Sequence, residues 1–343
     1  MEADFNDIAF NIHNPRRFLL FSFLSSMLPL SLLNVRFKRL ILCLLVVVLA
    51  GDLFLANYGY WTKTSWRAYI ARERIAERLS KEGKQGRYFV TPRTAEEFKF
   101  FPRNKIAPGP YYASLFGLYS IDGSEVMRIR WHERFLSHLK GSPSFDAARK
   151  WLEASGVRYI VSSRQIEGLR EVEKVELENR TVHLYEMDSA VRVALFGKAR
   201  WAKTDEEAER LFSSPGLDHR SEVVVLKEGK GMLPGRPVEG KVRIVKEEPR
   251  RVVVEVEAEE DCLLYLSDTF FPGWKAYVNG RGERIERANI AFRAVFVPAG
   301  SHLVEFVYRP TSFWLGSGLT VLGIILCVVC CRCKTLGFCR WVL

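Results

Sequence analysis

The stretch Leu263 to Gly280, LLYLSDTFFPGWKAYVNG, limits the fold more than any other part of the chain, and the residues after it tighten that limit. It holds an apolar run, a Phe-Pro-Gly-Trp corner, an alternating strand and an Asn-Gly turn. Two more alternating strands come next, in NIAFRAVFV and HLVEFVY, and then the apolar segment TSFWLGSGLTVLGIILCVVCC. Period-two alternation predicts strands with one buried face. Asn-Gly between such runs predicts a tight hairpin. The final segment approaches the ~20 apolar residues that a bilayer span requires. A β domain is therefore joined to a membrane helix almost without a linker.

A second apolar run lies near the other end. Residues 39–60 read as a transmembrane helix, with Arg36, Lys38 and Arg39 before it and Tyr58, Tyr60 and Trp61 after it. The run at 313–331 has Trp314 at its start and Arg332, Lys334 and Arg340 beyond its end. Basic flanks mark the cytoplasmic side and aromatic flanks the interfaces. Both helices then place the large region between them outside the cytoplasmic membrane, with 332–343 as a cytoplasmic tail. Within 1–38, the short apolar stretch FLLFSFLSSMLPLSLL fits three forms: an interfacial segment, a re-entrant piece or a short transmembrane helix. Asp52 stands inside the first span. An acid there is a functional candidate, or it lies close enough to the aromatic belt to reach the headgroups.

The formal charge is +11, yet the basic residues are interleaved with Glu, as in RERIAERLSKEGK and VKEEPRRVVVEVEAEED. No basic run with aromatics and no nucleic-acid module is present, so nucleic acid is not an expected partner. The lipid bilayer is. Of seven cysteines, only Cys262 falls between the two spans, so no disulfide framework holds that region together.

Residues 61–235 alternate helical and extended patterns and read as an extracytoplasmic mixed α/β domain. Helices are expected at 66–79, at about 126–139, from the Ser144 cap to Ala154, and at 205–212; 98–112 reads as an irregular surface loop. Gly229 to Gly240, GKGMLPGRPVEG, reads as a linker. Residues 236–311 then read as an antiparallel β-sandwich. The fold class is a membrane-anchored α+β protein with transmembrane helices on both flanks.

Catalytic signals are absent from the sequence. The six histidines are scattered, and no GxSxG, Walker or Rossmann motif occurs. CVVCCRC contains a CxxC, but it straddles the end of an apolar run, with no second ligand pair beyond it. No catalytic residue, metal or cofactor is expected. One candidate binding surface remains. Asp268, Phe270, Phe271 and Trp274 could form a sugar-stacking platform, or Trp274 could turn into the core with Ala276 and Val278.

LYLSDTFFPGWKAYVNG, RANIAFRAVFVPAGSHLVEFVYRPTSFWLG, LEASGVRYIVSS and VHLYEMDSAVRVAL resemble the C-terminal region of the YfhO family of bacterial and archaeal membrane proteins. The resemblance implies a place near the C-type glycosyltransferases, multi-pass enzymes that use polyprenyl-phosphate-linked sugars in the cell envelope. It also implies that the acids doing catalysis sit in the first external loop of a multi-pass region to which no position here corresponds. The expected function is then a membrane-anchored extracytoplasmic module. It would dock on a multi-pass glycosyltransferase-like partner, or bind a glycan or polyprenyl-linked sugar. The alternatives are a glycosyltransferase whose site the sequence does not reveal, and a non-catalytic surface protein or gene fragment.

Overall fold

The computed structural model describes residues 73–83, 87–98, 106–122, 129–177, 180–188, 190–226 and 233–335, with 43, 46, 47, 50 and 51 in addition. The chain divides into two compact units, Met1–Ala71 and Arg72–Leu343. Of the first, Cys43, Val46, Val47, Ala50 and Gly51 are described, and all are helical. The short apolar stretch within 1–38, the rest of the span 39–60 with Asp52, and residues 336–343 lie outside the described residues.

The second unit begins with α1 (Arg74–Glu82), β1 (Tyr88–Val90), α2 (Pro92–Glu97), α3 (Pro110–Phe116), α4 (Arg130–Lys140) and α5 (Phe145–Ala154). Next come β2 (Tyr159–Ser162), β3 (Arg170–Leu177), β4 (Arg180–Glu186), β5 (Val193–Phe196), β6 (Ala199–Ala202), α6 (Asp205–Ser213) and β7 (Val223–Leu226). The last part holds β8 (Gly240–Glu248), β9 (Arg251–Ala258), β10 (Cys262–Thr269), β11 (Trp274–Val278) and β12 (Arg281–Glu283). It ends with β13 (Glu286–Ala288), β14 (Phe292–Val297), β15 (Gly300–Tyr308) and α7 (Thr311–Thr335).

Local signals account for most of these elements. Ser144 caps α5 by accepting from the Ala147 amide at 3.2 Å, and Thr204 caps α6 in the same way. Asn279 and Gly280 both take positive φ, as the primed turn between β11 and β12 requires. The expected loop at 98–112 is corrected in part. Pro110 starts α3, Gly117 ends it in the left-handed region, and Ala113 and Phe116 are buried. Pro110, which suggested a surface loop, is instead a helix start.

The strands form three sheets, ordered β1-β2-β4-β3, β5-β10-β14-β13-β7-β6 and β12-β11-β15-β9-β8. The pairings are antiparallel except β1 with β2 and β6 with β7. The six-stranded sheet draws from both sides of the Gly/Pro-rich segment: β10 pairs with β5 from Leu263–Phe196 to Leu266–Val193, and β13 pairs with β7. Hydrogen bonding is thus continuous across the expected boundary at 235/236.

β10 explains this arrangement. Its apolar run is buried on both faces, as a central strand should be. Leu263 and Tyr265 enter a core with helices α4, α5 and α6. Leu264 and Leu266 enter a second core with Val254, Val304 and Phe306 of the five-stranded sheet. A third core joins α1, α3 and the four-stranded sheet. At the far end, α7 carries a stretch, Thr311–Val329, of mean hydropathy 2.1, with none of it buried. The helix continues to Thr335.

Candidate functional site

β10 ends at Thr269, where the Phe-Pro-Gly-Trp corner turns the chain from the six-stranded sheet into β11 of the five-stranded one. Gly273 makes the turn possible. Its φ is +105°, and an added Cβ would stand 3.0 Å from the Tyr308 ring and 3.1 Å from Pro310 Cβ. A left-handed backbone and this crowding leave room for Gly alone. Gly273→Ala is therefore expected to cost about 1–3 kcal/mol, the range for a strained backbone site, read as a lower thermal midpoint.

Beside the corner lies a cavity of about 520 Å³. Asp268, Phe271 and Trp274 line it, together with Arg87, Tyr119, His132, Arg293 and Tyr308 from distant parts of the chain. Phe270 is not among them. It faces the other way, edge-on to Trp131 at 5.8 Å, and its carbonyl accepts from Trp131 Nε1 at 2.7 Å. Three of the four candidate binding residues thus come together. The fourth secures the turn to α4.

Asp268 is held by three arginines. Arg87 Nη2 donates to Oδ1 at 3.0 Å, Arg192 Nη1 donates to the same oxygen, and Arg293 Nη2 donates to Oδ2 at 2.8 Å. Arg87 also ties the site to the helical region, donating to the Ser155 carbonyl at 2.7 Å and the Ser267 carbonyl at 2.6 Å. Arg192 reaches Glu247 at 2.7 Å. The Arg293 guanidinium lies 4.0 Å from the centre of the Trp274 ring and 5.4 Å from that of Phe306. Trp274 packs against the core that holds Ala276 and Val278, and it also lines the cavity.

The electrostatics are set by this packing. Burial by itself would raise the Asp268 pKa, but the charges of Arg192, Arg293 and Arg87 override it and hold the carboxyl far below the usual range. Burial lowers Arg87 and Arg293 to about 10, so both remain charged at neutral pH. Burial also lowers the pKa of His132. Its Nε2 lies 3.1 Å from the Ile121 carbonyl, which can only accept. Nε2 therefore carries the proton, and Nδ1 accepts from the Thr269 hydroxyl at 3.3 Å. Lys140 neutralises Asp122 in the wall at 2.7 Å. Asp268 and Asp122, two of the three acids in the wall, are thus held by cations.

A carboxylate saturated by guanidinium groups is suited to holding walls together, not to moving protons. Aromatic rings beside fixed donors and acceptors suit a neutral polyol. Among the described residues, no group of three or more His, Cys, Asp or Glu is placed to hold a metal ion. Cys262 is buried, and burial pushes its thiol up to about 11, which makes it inert at neutral pH.

The arginines were not singled out from the sequence, although one signal existed. Arg293 sits inside the apolar strand AFRAVFV, and a charge at such a position requires a buried partner. That partner, Asp268, is 25 positions away.

No curated protein and no solved structure matches the chain. Residues 238–320, which hold β8 to β15, the corner with Asp268, Phe271 and Trp274, and the first turns of α7, match the model of the YfhO family, described as a bacterial membrane protein.

Proposed function

We propose that the protein is a membrane-anchored, extracytoplasmic module of a YfhO-like cell-envelope glycosylation system, and that the cavity beside the Phe-Pro-Gly-Trp corner binds a glycan or polymer acceptor. In this reading the six- and five-stranded sheets pack as a sandwich, and α7 and the span 39–60 cross the membrane on its two flanks. Trp314 near the start of α7 and the basic residues Arg332 and Lys334 at its end support an outward-facing module. A multi-pass glycosyltransferase-like protein is its partner, and the module is not a catalyst by itself.

One observation carries the reading. A cavity of about 520 Å³ is walled on one side by Phe271, Trp274 and Tyr308 of the family-matched region and on the other by Arg87, Tyr119 and His132 outside it, with Asp268 and Asp122 held in ion pairs. Such a cavity favours stacking on a sugar ring over binding of a strongly charged ligand.

The test uses the full chain in lipid nanodiscs, titrated with neutral and acidic oligosaccharides. Neutral oligosaccharides are expected to bind. Phe271→Ala is expected to weaken binding about tenfold, the loss of ~1.4 kcal/mol of stacking. Because Phe271 is 40% exposed, its thermal midpoint should stay within the small range of surface substitutions. Absence of binding by every oligosaccharide, or equal binding by Phe271→Ala, would sink the proposal.

A further inference from the structure

The end of the five-stranded sheet nearest α7 carries a second feature. β15 ends at Tyr308 and α7 begins at Thr311, so only Arg309 and Pro310 connect them. Two residues reach at most about 7 Å. The connection is also fastened. The Arg309 amide donates to the Gly273 carbonyl at 2.7 Å, and the Tyr308 amide donates to the Arg250 carbonyl at 2.9 Å. The Phe-Pro-Gly-Trp corner and the β8–β9 turn are therefore fixed at the root of the apolar helix.

The groups exposed at this root share a chemistry. Phe271 is 40% exposed, and its ring lies 6.3 Å from that of Tyr308. Arg250, Lys275 and Arg309 are exposed. None of the three takes part in an ion pair among the described residues. The nearby acid Glu305 is held by Arg251 at 2.9 Å, and Glu248 by Lys246 at 2.8 Å. An exposed aromatic ring and three cations outside any ion pair at the sheet end where an apolar helix emerges match the headgroup level of an anionic bilayer.

We infer that the corner and its three cations form a collar that docks on anionic phospholipid, with Phe271 at the interface. The collar holds the folded region upright on the membrane, with Phe271, which lines the cavity, at the bilayer surface. The inference rests on α7 being embedded in the membrane. Extraction of the whole chain by alkaline carbonate would remove that basis, and it is a failure separate from the outcomes below.

Amide hydrogen exchange of the full chain, in nanodiscs of phosphatidylcholine with and without phosphatidylglycerol, tests the collar. Exchange at 248–251 and 270–275 is expected to slow when phosphatidylglycerol is present. The hairpin turn Asn279–Gly280, at the opposite end of β11, should not change. Arg250→Glu, Lys275→Glu and Arg309→Glu should each reduce the docked fraction about fivefold or more, the contribution of one basic residue at an anionic surface, while leaving oligosaccharide binding intact. Equal exchange in the two lipid mixtures, or a phosphatidylglycerol effect that survives all three reversals, would overturn the inference.

Discussion

Asp268→Asn is expected to destabilise the folded region by about 3–5 kcal/mol, the cost of leaving buried charges without their partner. Arg87, Arg192 and Arg293 all converge on this carboxylate, and the Arg293 side chain is only 2% exposed. Thermal unfolding of the full chain in detergent would read the loss directly. Arg293→Met placed in the same background should restore part of it, because one stranded cation is removed and the methionine can pack against Trp274 and Phe306. No recovery in the double variant would show that the carboxylate acts on the fold by some route other than charge. The wild-type protein should show the same group in its pH dependence. The folded-state pKa of Asp268 is depressed, so its stabilisation is present above the unfolded value of about 3.9. It is lost as pH falls from there toward the lower folded value. Asp268→Asn should flatten stability across that acid range.

Phe135→Ala is the second large effect, at about 3–5 kcal/mol. Phe135 of α4 is fully buried and meets three other elements: Trp151 of α5 at 5.1 Å, Phe212 of α6 at 6.2 Å and Phe292 of β14 at 4.8 Å. It joins the helices that precede the Gly/Pro-rich segment to a strand that comes after it. Removing the ring therefore leaves a void at the seam, not at an edge. The thermal midpoint should fall by roughly 10 °C, given about 2–4 °C per kcal/mol for a chain of this size. Phe292 also lines the cavity, so oligosaccharide affinity should fall together with stability. Leu115→Ala, at a position 42% exposed, should change stability by no more than about 0.5 kcal/mol. A similar loss at both positions would contradict the packing described.

The elements were largely legible because their signals are local. Alternation in RVVVEVEA placed Val252, Val254 and Val256 on one face, and all three enter the same core. Ser144, Gly156 and Asn279–Gly280 marked a cap, a helix end and a hairpin by chemistry confined to a few residues. The apolar run after Tyr308 announced its length and its abrupt start. Which strands lie side by side was not legible in this way. β10 pairs with β5 across a Gly/Pro-rich segment because an apolar strand needs cover on both faces, and no spacing in the sequence states where the second cover comes from.

The candidate site divides along the same line. The corner from Asp268 to Trp274 was evident in the sequence, because Pro-Gly beside aromatics is a local pattern. That Phe270 turns to Trp131 while Phe271 and Trp274 line the cavity depends on which distant elements pack on each side of the corner. Arg87 and Asp268 are 181 positions apart, Arg192 and Asp268 are 76 apart, and only folding places them in one ion cluster. By itself, the sequence determined strands, turns, an apolar helix and the corner, each of them set by interactions a few residues long. The tertiary structure decided the shared sheet, the saturation of Asp268 and the cavity beside it, because those depend on long-range burial and charge pairing.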